Sequence, residues 1–204
     1  MYHPVLMQTR SFMLDVLITH IRQKVDLTDP QAAALQSFFS LRKLRRKQYL
    51  LQEGEVCRTL AFVNSGLLKS YLLDDKGTER INLFAFEGWW ISDFSSFLKA
   101  EKAVLNIDAV QDSELLLITL EDYERLTLEL PVMDRYFRLL YQNSLVTKDY
   151  RLIMHNNFTA EEKYLDLLQN QPEMAKKLSH SLIASYLGLS PETVSRIRKK
   201  IALR

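Results

Sequence analysis

The chain is poor in the groups that build disulfide, metal and membrane chemistry. Its 204 residues include one cysteine, Cys57, so no disulfide can form within it. One thiol also excludes the cysteine clusters that hold structural zinc or iron–sulfur groups. The four histidines, His3, His20, His155 and His180, show no close metal-ligand spacing, and no metal is expected. No run of ~18 apolar residues exists, so no membrane-spanning helix is expected. The N-terminus lacks a basic start followed by an apolar core and is not read as a signal peptide, which points to a cytoplasmic protein. Gly-x-Ser-x-Gly, Gly-x-x-x-x-Gly-Lys and His-Glu-x-x-His are all missing, so no catalytic residues are assigned and an enzyme is not expected.

A large net charge is missing too. The balance is +2, which excludes a polycation, but the cations are unevenly placed. From Ala175 to Arg204 they are Lys176, Lys177, Arg196, Arg198, Lys199, Lys200 and Arg204, against a single acid, Glu192. A basic end on a neutral body fits a local nucleic-acid contact. Apolar residues make up 47% of the chain, enough for a real core, and the length allows one large or two small domains.

That basic end has an internal order. Leu182, Ile183, Tyr186 and Leu187 fall at helical spacing and give a first helix an apolar face. Gly188 stops it, because glycine accepts the left-handed backbone that ends helices. Ser190 can cap a second helix, and Pro191 fits its first position, where no amide donor is needed. Val194, Ile197 and Ile201 then face inward, leaving Glu192, Thr193, Ser195, Arg196, Lys199 and Lys200 outside. This is the pattern of a helix-turn-helix, although a helical hairpin with a solvated basic face would share much of it.

Residues Ile183-Ala184-x-x-Leu187-Gly188-Leu189-Ser190-x-Glu192-Thr193-Val194-Ser195-Arg196 resemble the helix-turn-helix of the cyclic-AMP receptor / fumarate-nitrate regulator (Crp/Fnr) family of bacterial transcription factors. The second helix, 191–201, would enter the major groove. Glu192 can accept from the amino group of cytosine, Arg196 can make the bidentate contact to guanine, and Ser195 suits either base class. Arg198, Lys199, Lys200 and Arg204 are placed for phosphates. Pro191 stands where the family often has an arginine. The run Glu-Thr-Val-Ser-Arg is closer to the fumarate-nitrate branch, and a TTGA-like half-site is implied by that similarity. The chain stops soon after this helix, so the β-hairpin wing of many relatives is expected to be truncated.

Upstream, Met13, Leu14, Leu17, Ile18, Ile21 and Val25 predict a helix, and Pro30 can begin another. Leu41-Arg-Lys-Leu-Arg-Arg-Lys47 is a charge run. It reads as a solvated face leading into a strand, with phosphate contact as the alternative. From Gln48 to Thr119 short strands alternate with turn signals, among them Asp74-Asp75-Lys76-Gly77, which suggests a small barrel or sandwich. Within it Gln52-Glu53-Gly54, Phe62-Val63-x-x-Gly66, Asp75-x-Gly77 and Asp112-x-Glu114-Leu115 resemble the cyclic-nucleotide-binding β-barrel of the same family.

Pro131 starts a helix expected to run to about Asn156. Val132, Tyr136, Leu139, Asn143, Val146, Tyr150 and Ile153 step by four and three, which is a coiled-coil seam, and Met133, Phe137, Leu140 and Leu145 form a second stripe. Two stripes need two partners: the barrel of the same chain and the same helix of a second subunit, which the family uses to dimerise. One wide stripe on a core helix is the alternative. Asn156 to Thr159 reads as a hinge, with Thr159 and Glu162 placed for a capping box.

In family members that bind cyclic AMP, a glutamate takes the ribose hydroxyl and an Arg-Ser/Thr pair neutralises the phosphate. Here the glutamate position falls at Ser92 or Asp93, and the pair falls at Ala103-Val104. Neither supplies the cation that a buried phosphate needs. Cyclic AMP is therefore not expected as the usual effector, and the cofactor is unknown. Trp89 and Trp90 read as core, with the wall of a pocket for a flat effector as the alternative. Cys57 reads as a small buried hydrophobe, with oxidant sensing or haem ligation as alternatives.

The resulting expectation is an α+β chain in three parts. Residues 1–119 carry N-terminal helices and a cyclic-nucleotide-binding-like jelly-roll barrel, 120–157 a short helix and the long dimerisation helix, and 158–204 the helix-turn-helix. Its function would be that of a homodimeric DNA-binding transcription regulator reading a palindrome, modulated by an unidentified effector at the barrel. An effector-independent dimer with the barrel as scaffold is the alternative. Expected partners are double-stranded DNA and a second copy, with RNA polymerase a further candidate and no membrane.

Overall fold

The protein is described here by a computed structural model that covers residues 14–202. Met13 and Arg204, singled out above, lie outside the described residues. Helix α1 occupies residues 14–22, and Leu14, Leu17 and Ile21, three and four apart, are buried. Thr28 opens α2 (Asp29–Ala34) through a reciprocal capping box with Gln31, and a 3-10 turn, Leu35–Ser37, follows. Eight strands come next: β1 (Ser40–Leu44), β2 (Tyr49–Leu51), β3 (Thr59–Ser65), β4 (Leu67–Leu73), β5 (Glu79–Phe86), β6 (Trp90–Ile91), β7 (Asn106–Ala109) and β8 (Ser113–Thr119). Helix α3 (Phe94–Lys99) is inserted between β6 and β7. The rest is helical: α4 (Leu120–Glu129), α5 (Pro131–Asn157), α6 (Ala160–Asn170), α7 (Pro172–Lys177), α8 (His180–Leu187) and α9 (Pro191–Ala202).

The strands form two four-stranded sheets, ordered β1-β8-β3-β6 and β2-β7-β4-β5. Such an order, with sequence neighbours split between sheets, makes the jelly-roll barrel of the expected α+β class. Alternation alone located six of the strands. It missed β1, because the charge run supplies it: Ser40–Leu44 is an edge strand paired with β8, and Lys43 pairs with Glu114. Charged side chains on an edge discourage pairing with another chain. It also missed β6, which is two residues long, and the one-and-a-half-turn α3.

Two compact units result. One comprises the described residues up to Leu72 together with Leu83–Tyr141; the other comprises Leu73–Asn82 and the chain from Gln142 onward. The long helix α5 contributes to both, so it does not stand as a middle domain of its own, and the tip of the β4–β5 hairpin belongs with the helix-turn-helix.

In the first unit, Gly66 occupies a position that only glycine fits. Its φ is +98°, and an added Cβ would lie 2.2 Å from Ser113 Oγ and 2.6 Å from the Asp112 carbonyl oxygen. Ser113 cannot give way cheaply, since its hydroxyl donates to the Gln111 carbonyl and accepts from Leu67 N. Gly66→Ala is expected to cost at least about 2 kcal/mol, seen as a lower urea midpoint at unchanged slope.

The same unit buries a polar relay. Tyr136 is fully buried; its hydroxyl accepts from Trp90 Nε1 at 2.9 Å and lies 2.7 Å from His20 Nδ1. With one proton to give, Tyr136 donates to His20, which is then neutral with its hydrogen on Nε2. Tyr136 is thus core and is withdrawn from the expected dimer seam. Trp90 is core as well, its ring packed on Phe62 and Phe137. Burial, with Lys24 adding repulsion, lowers the His20 pKa from 6.5 to about 4. The unfolded chain therefore binds the proton first, and stability falls as pH drops from about 6.5 to about 4, then levels off. The ring is half exposed, so the loss should be about 1–2 kcal/mol. His20→Gln should remove it from a pH series of melting temperatures.

Candidate functional site

The second unit assembles the helix-turn-helix from caps and an apolar interior. Ser179 caps α8 by accepting from Leu182 N, and Gly188 ends it at φ +68°. Ser190 Oγ accepts from Thr193 N at 3.2 Å and so starts α9 one residue before Pro191. Ile183, Ala184, Tyr186 and Leu187 of α8 are buried, as are Val194 and Ile197 of α9. The helices beneath are fixed in the same way. Thr159 and Glu162 make a capping box at the start of α6, and Tyr164 and Leu167 are buried behind it.

What remains outward on α9 is one face. Pro191, Glu192, Ser195, Arg196 and Lys199 line a shallow open concavity. At 100° per residue Arg198 and Lys200 flank that face on opposite sides. Arg196 lies along the helix, donating weakly to Thr193 Oγ1 at 3.4 Å, and Thr193 is half-buried in the cap. The Glu192 carboxyl is held below its usual range by its own backbone N–H and by the Ser190 hydroxyl. It is an acceptor only at neutral pH. Lys200 is engaged by Glu161 of α6. Exposed ion pairs are worth at most about 1 kcal/mol, so a phosphate can displace this one.

Sequence reading missed how the unit is tied together. Ser185 of α8 accepts from Ile81 N and donates to the Glu79 carbonyl at the hairpin tip, and Arg151 of α5 donates to the Asn82 carbonyl at 2.6 Å. A serine on an apolar helix gave no signal of this.

On α5, the apolar residues left outside differ in part from the expected seam. Leu145 (61%), Val146 (69%), Leu152 (61%) and Ile153 (54%) are exposed, two pairs spaced by seven. Val132 and Leu139 are half-buried, Asn143 is exposed, and Tyr150 turns its hydroxyl to Asp166 of α6. Of the expected seam, Val146 and Ile153 are therefore exposed, with Leu145 and Leu152 beside them, while Tyr136 is buried and Tyr150 is bonded to α6.

At the barrel, Asp93 is 4% exposed and caps α3 through Ser96 N, while its other oxygen accepts from Val104 N at 2.9 Å and Leu105 N at 3.2 Å. Ala103 is buried and Val104 is 60% exposed. Ser92 Oγ meets the buried thiol of Cys57 at 3.3 Å, and Trp89 is exposed beside Phe86. These expected pocket residues therefore do not line one cavity wall together.

Residues 41–129 match the cyclic nucleotide-binding domain family. The transcriptional activator protein Anr of Pseudomonas protegens is 25% identical over 167 residues, 76% of this chain and 68% of Anr. The chain is thus similar to regulators of the Crp/Fnr type. Its fold is shared with solved structures. FixK2 from Bradyrhizobium japonicum superposes with a TM-score of 0.66 at 20% identity, covering 81% of this chain and 85% of FixK2. A CooA variant from Carboxydothermus hydrogenoformans gives 0.67 at 17% identity, covering 88% and 87%. The curated relatives that this chain matches are regulatory proteins, and its described residues contain no helix long and apolar enough to cross a membrane.

A cyclic nucleotide, which the domain's family name implies, does not fit the residues of this member. Two adjacent amides converge at Val104 and Leu105, as an anion site requires, but the Asp93 carboxylate is already their acceptor. A cyclic phosphate there would face a buried negative charge, with alanine and valine where a cation is needed.

Proposed function

We propose that this protein is a homodimeric, sequence-specific DNA-binding regulator of the Crp/Fnr type that reads a palindrome of TTGA-like half-sites through residues 191–201. The observation that carries the reading is the single outward face of α9, where Glu192, Ser195, Arg196 and Lys199 lie together, with Arg198 and Lys200 at its borders. Arg196 supplies the bidentate guanine contact and Glu192 the acceptor for cytosine. The flanking cations supply affinity without sequence information. The exposed pairs Leu145/Val146 and Leu152/Ile153 support pairing of α5 with its copy, which would set two recognition helices about 34 Å apart.

The effector is a molecule other than cyclic AMP. Asp93 also favours a second reading, in which the barrel is a scaffold that fills its own anion position and DNA binding is constitutive. Fluorescence anisotropy with a palindromic TTGA-type duplex, and with one half-site scrambled, tests the proposal over a salt series. Affinity should fall steeply with salt, and the scrambled half-site should weaken binding by at least about 100-fold. Equal affinity for both duplexes at every salt concentration would rule out a two-half-site reader.

A further inference from the structure

The C-terminal half of α5, together with α6 and α8, lines a half-open pocket of about 340 Å³ that the DNA-reading residues of α9 do not line. Its size falls within the range of small-molecule pockets, roughly 300–1,000 Å³. The floor is apolar: Met154, Leu167 and Leu187 are all buried. Two kinds of polar wall stand over it. On one side Arg151, half-buried, lies 4.4 Å over the centre of the Tyr186 ring. On the other, the Asp166 carboxylate accepts from the Tyr150 hydroxyl and from Asn170 Nδ2. Beside them, in the link between α6 and α7, the side-chain oxygen of Gln171 is buried and meets no donor in the protein. A buried acceptor left unmatched is costly, and native structures seldom leave one without a partner.

We infer that this cavity is a ligand site, separate from the barrel, for a small amphoteric molecule with an apolar body, of the size of an aromatic α-amino acid. The walls set the class. A neutral hydrocarbon would leave Gln171 unmatched, and a simple anion would leave the apolar floor unused. The α-ammonium supplies the donor that Gln171 lacks and faces Asp166. The carboxylate on the same carbon faces the Arg151 guanidinium, the side chain suited to it. The apolar side chain beyond them covers Met154, Leu167 and Leu187. Such a ligand would join the end of α5 to α6 and α8, the helices on which α9 is packed. Its binding would then alter how firmly the recognition helix is held. That last step rests on the DNA-binding reading; the ligand site does not.

The test uses the full chain and L-phenylalanine as probe, with phenylacetate (no amine) and phenethylamine (no carboxylate) as partial probes. Binding is measured by calorimetry and by thermal shift. L-Phenylalanine should bind saturably, and each partial probe at least 10-fold more weakly. Gln171→Met, which keeps the volume and removes the acceptor, should weaken binding at least 10-fold, as should Arg151→Met. No saturable binding of L-phenylalanine overturns the site. So does binding unchanged in both variants, or equal binding of phenethylamine. Circular dichroism of Gln171→Met should match the unsubstituted protein, so that a lost signal is not lost folding. Operator affinity is titrated separately. If L-phenylalanine binds and operator affinity does not move, the regulatory link is overturned and the site stands. If no operator is bound while L-phenylalanine still is, the DNA-binding reading has failed alone.

Discussion

Arg196→Ala should lose at least about 100-fold in affinity for a palindromic operator while keeping its affinity for unrelated DNA. A bidentate arginine–guanine contact is worth about 1–3 kcal/mol, and a dimer makes it twice. The fold should survive the change. Arg196 is exposed, its one side-chain bond is a weak 3.4 Å contact to Thr193, and Val194 and Ile197 anchor the helix from the opposite face. Lys199→Ala on the same face gives a comparison. If Lys199 contacts phosphate, it should weaken specific and unspecific duplexes alike and reduce the salt slope by about one. Anisotropy titrations of the three proteins against both duplexes check this. Parallel losses for Arg196→Ala on both duplexes would show that the arginine does not read bases.

The second large effect concerns α5. Leu145→Glu with Leu152→Glu puts two carboxylates on the exposed apolar stripe, where both side chains lie mostly in solvent. The double variant should sediment as a monomer at micromolar concentrations at which the parent is a dimer. Its operator affinity should fall by about 10²–10⁴, the gain that linking two half-site contacts normally brings. Its melting temperature at high dilution should match that of the parent, because the substitutions leave the core alone. A variant that stays dimeric would move the interface elsewhere on the chain. Charging Tyr136 would not be a clean alternative: that side chain is fully buried and bonded to Trp90, so its loss would report on folding.

These variants also show what the sequence could and could not reveal. Periodicity found the helix-turn-helix, since Gly188, Ser190 and Pro191 are local signals whose physics needs no tertiary context. It found the length of α5 for the same reason. It could not tell which apolar residues of α5 face inward. A helix with two stripes has the same spacing whichever stripe its own chain covers, and only packing shows that Tyr136 and Phe137 go into the core while Leu145 and Leu152 stay outside. The barrel's turns were legible from glycines, most of all Gly66, whose positive φ and contact with Ser113 admit no side chain. The edge strand β1 was hidden because its charges mask the period of two. At the expected phosphate position, the sequence showed that a cation was missing at Ala103 and Val104. It gave no sign that the Val104 and Leu105 amides are taken by Asp93, which lies eleven and twelve residues earlier and is brought across by the turn of α3. The lining of the α5–α6–α8 cavity was equally invisible, because its residues are drawn from three helices separated in sequence.

The proposed regulator reads DNA through α9 and does not take cyclic AMP at the barrel. The most direct measurement is one titration of a palindromic TTGA-type duplex by the purified protein, run without cyclic AMP and again with the nucleotide in millimolar excess. Tight, salt-sensitive binding is expected in both, with coincident curves. Binding that appears only when cyclic AMP is present would contradict it, and would mean that the Asp93 carboxylate leaves the Val104 and Leu105 amides to admit a phosphate.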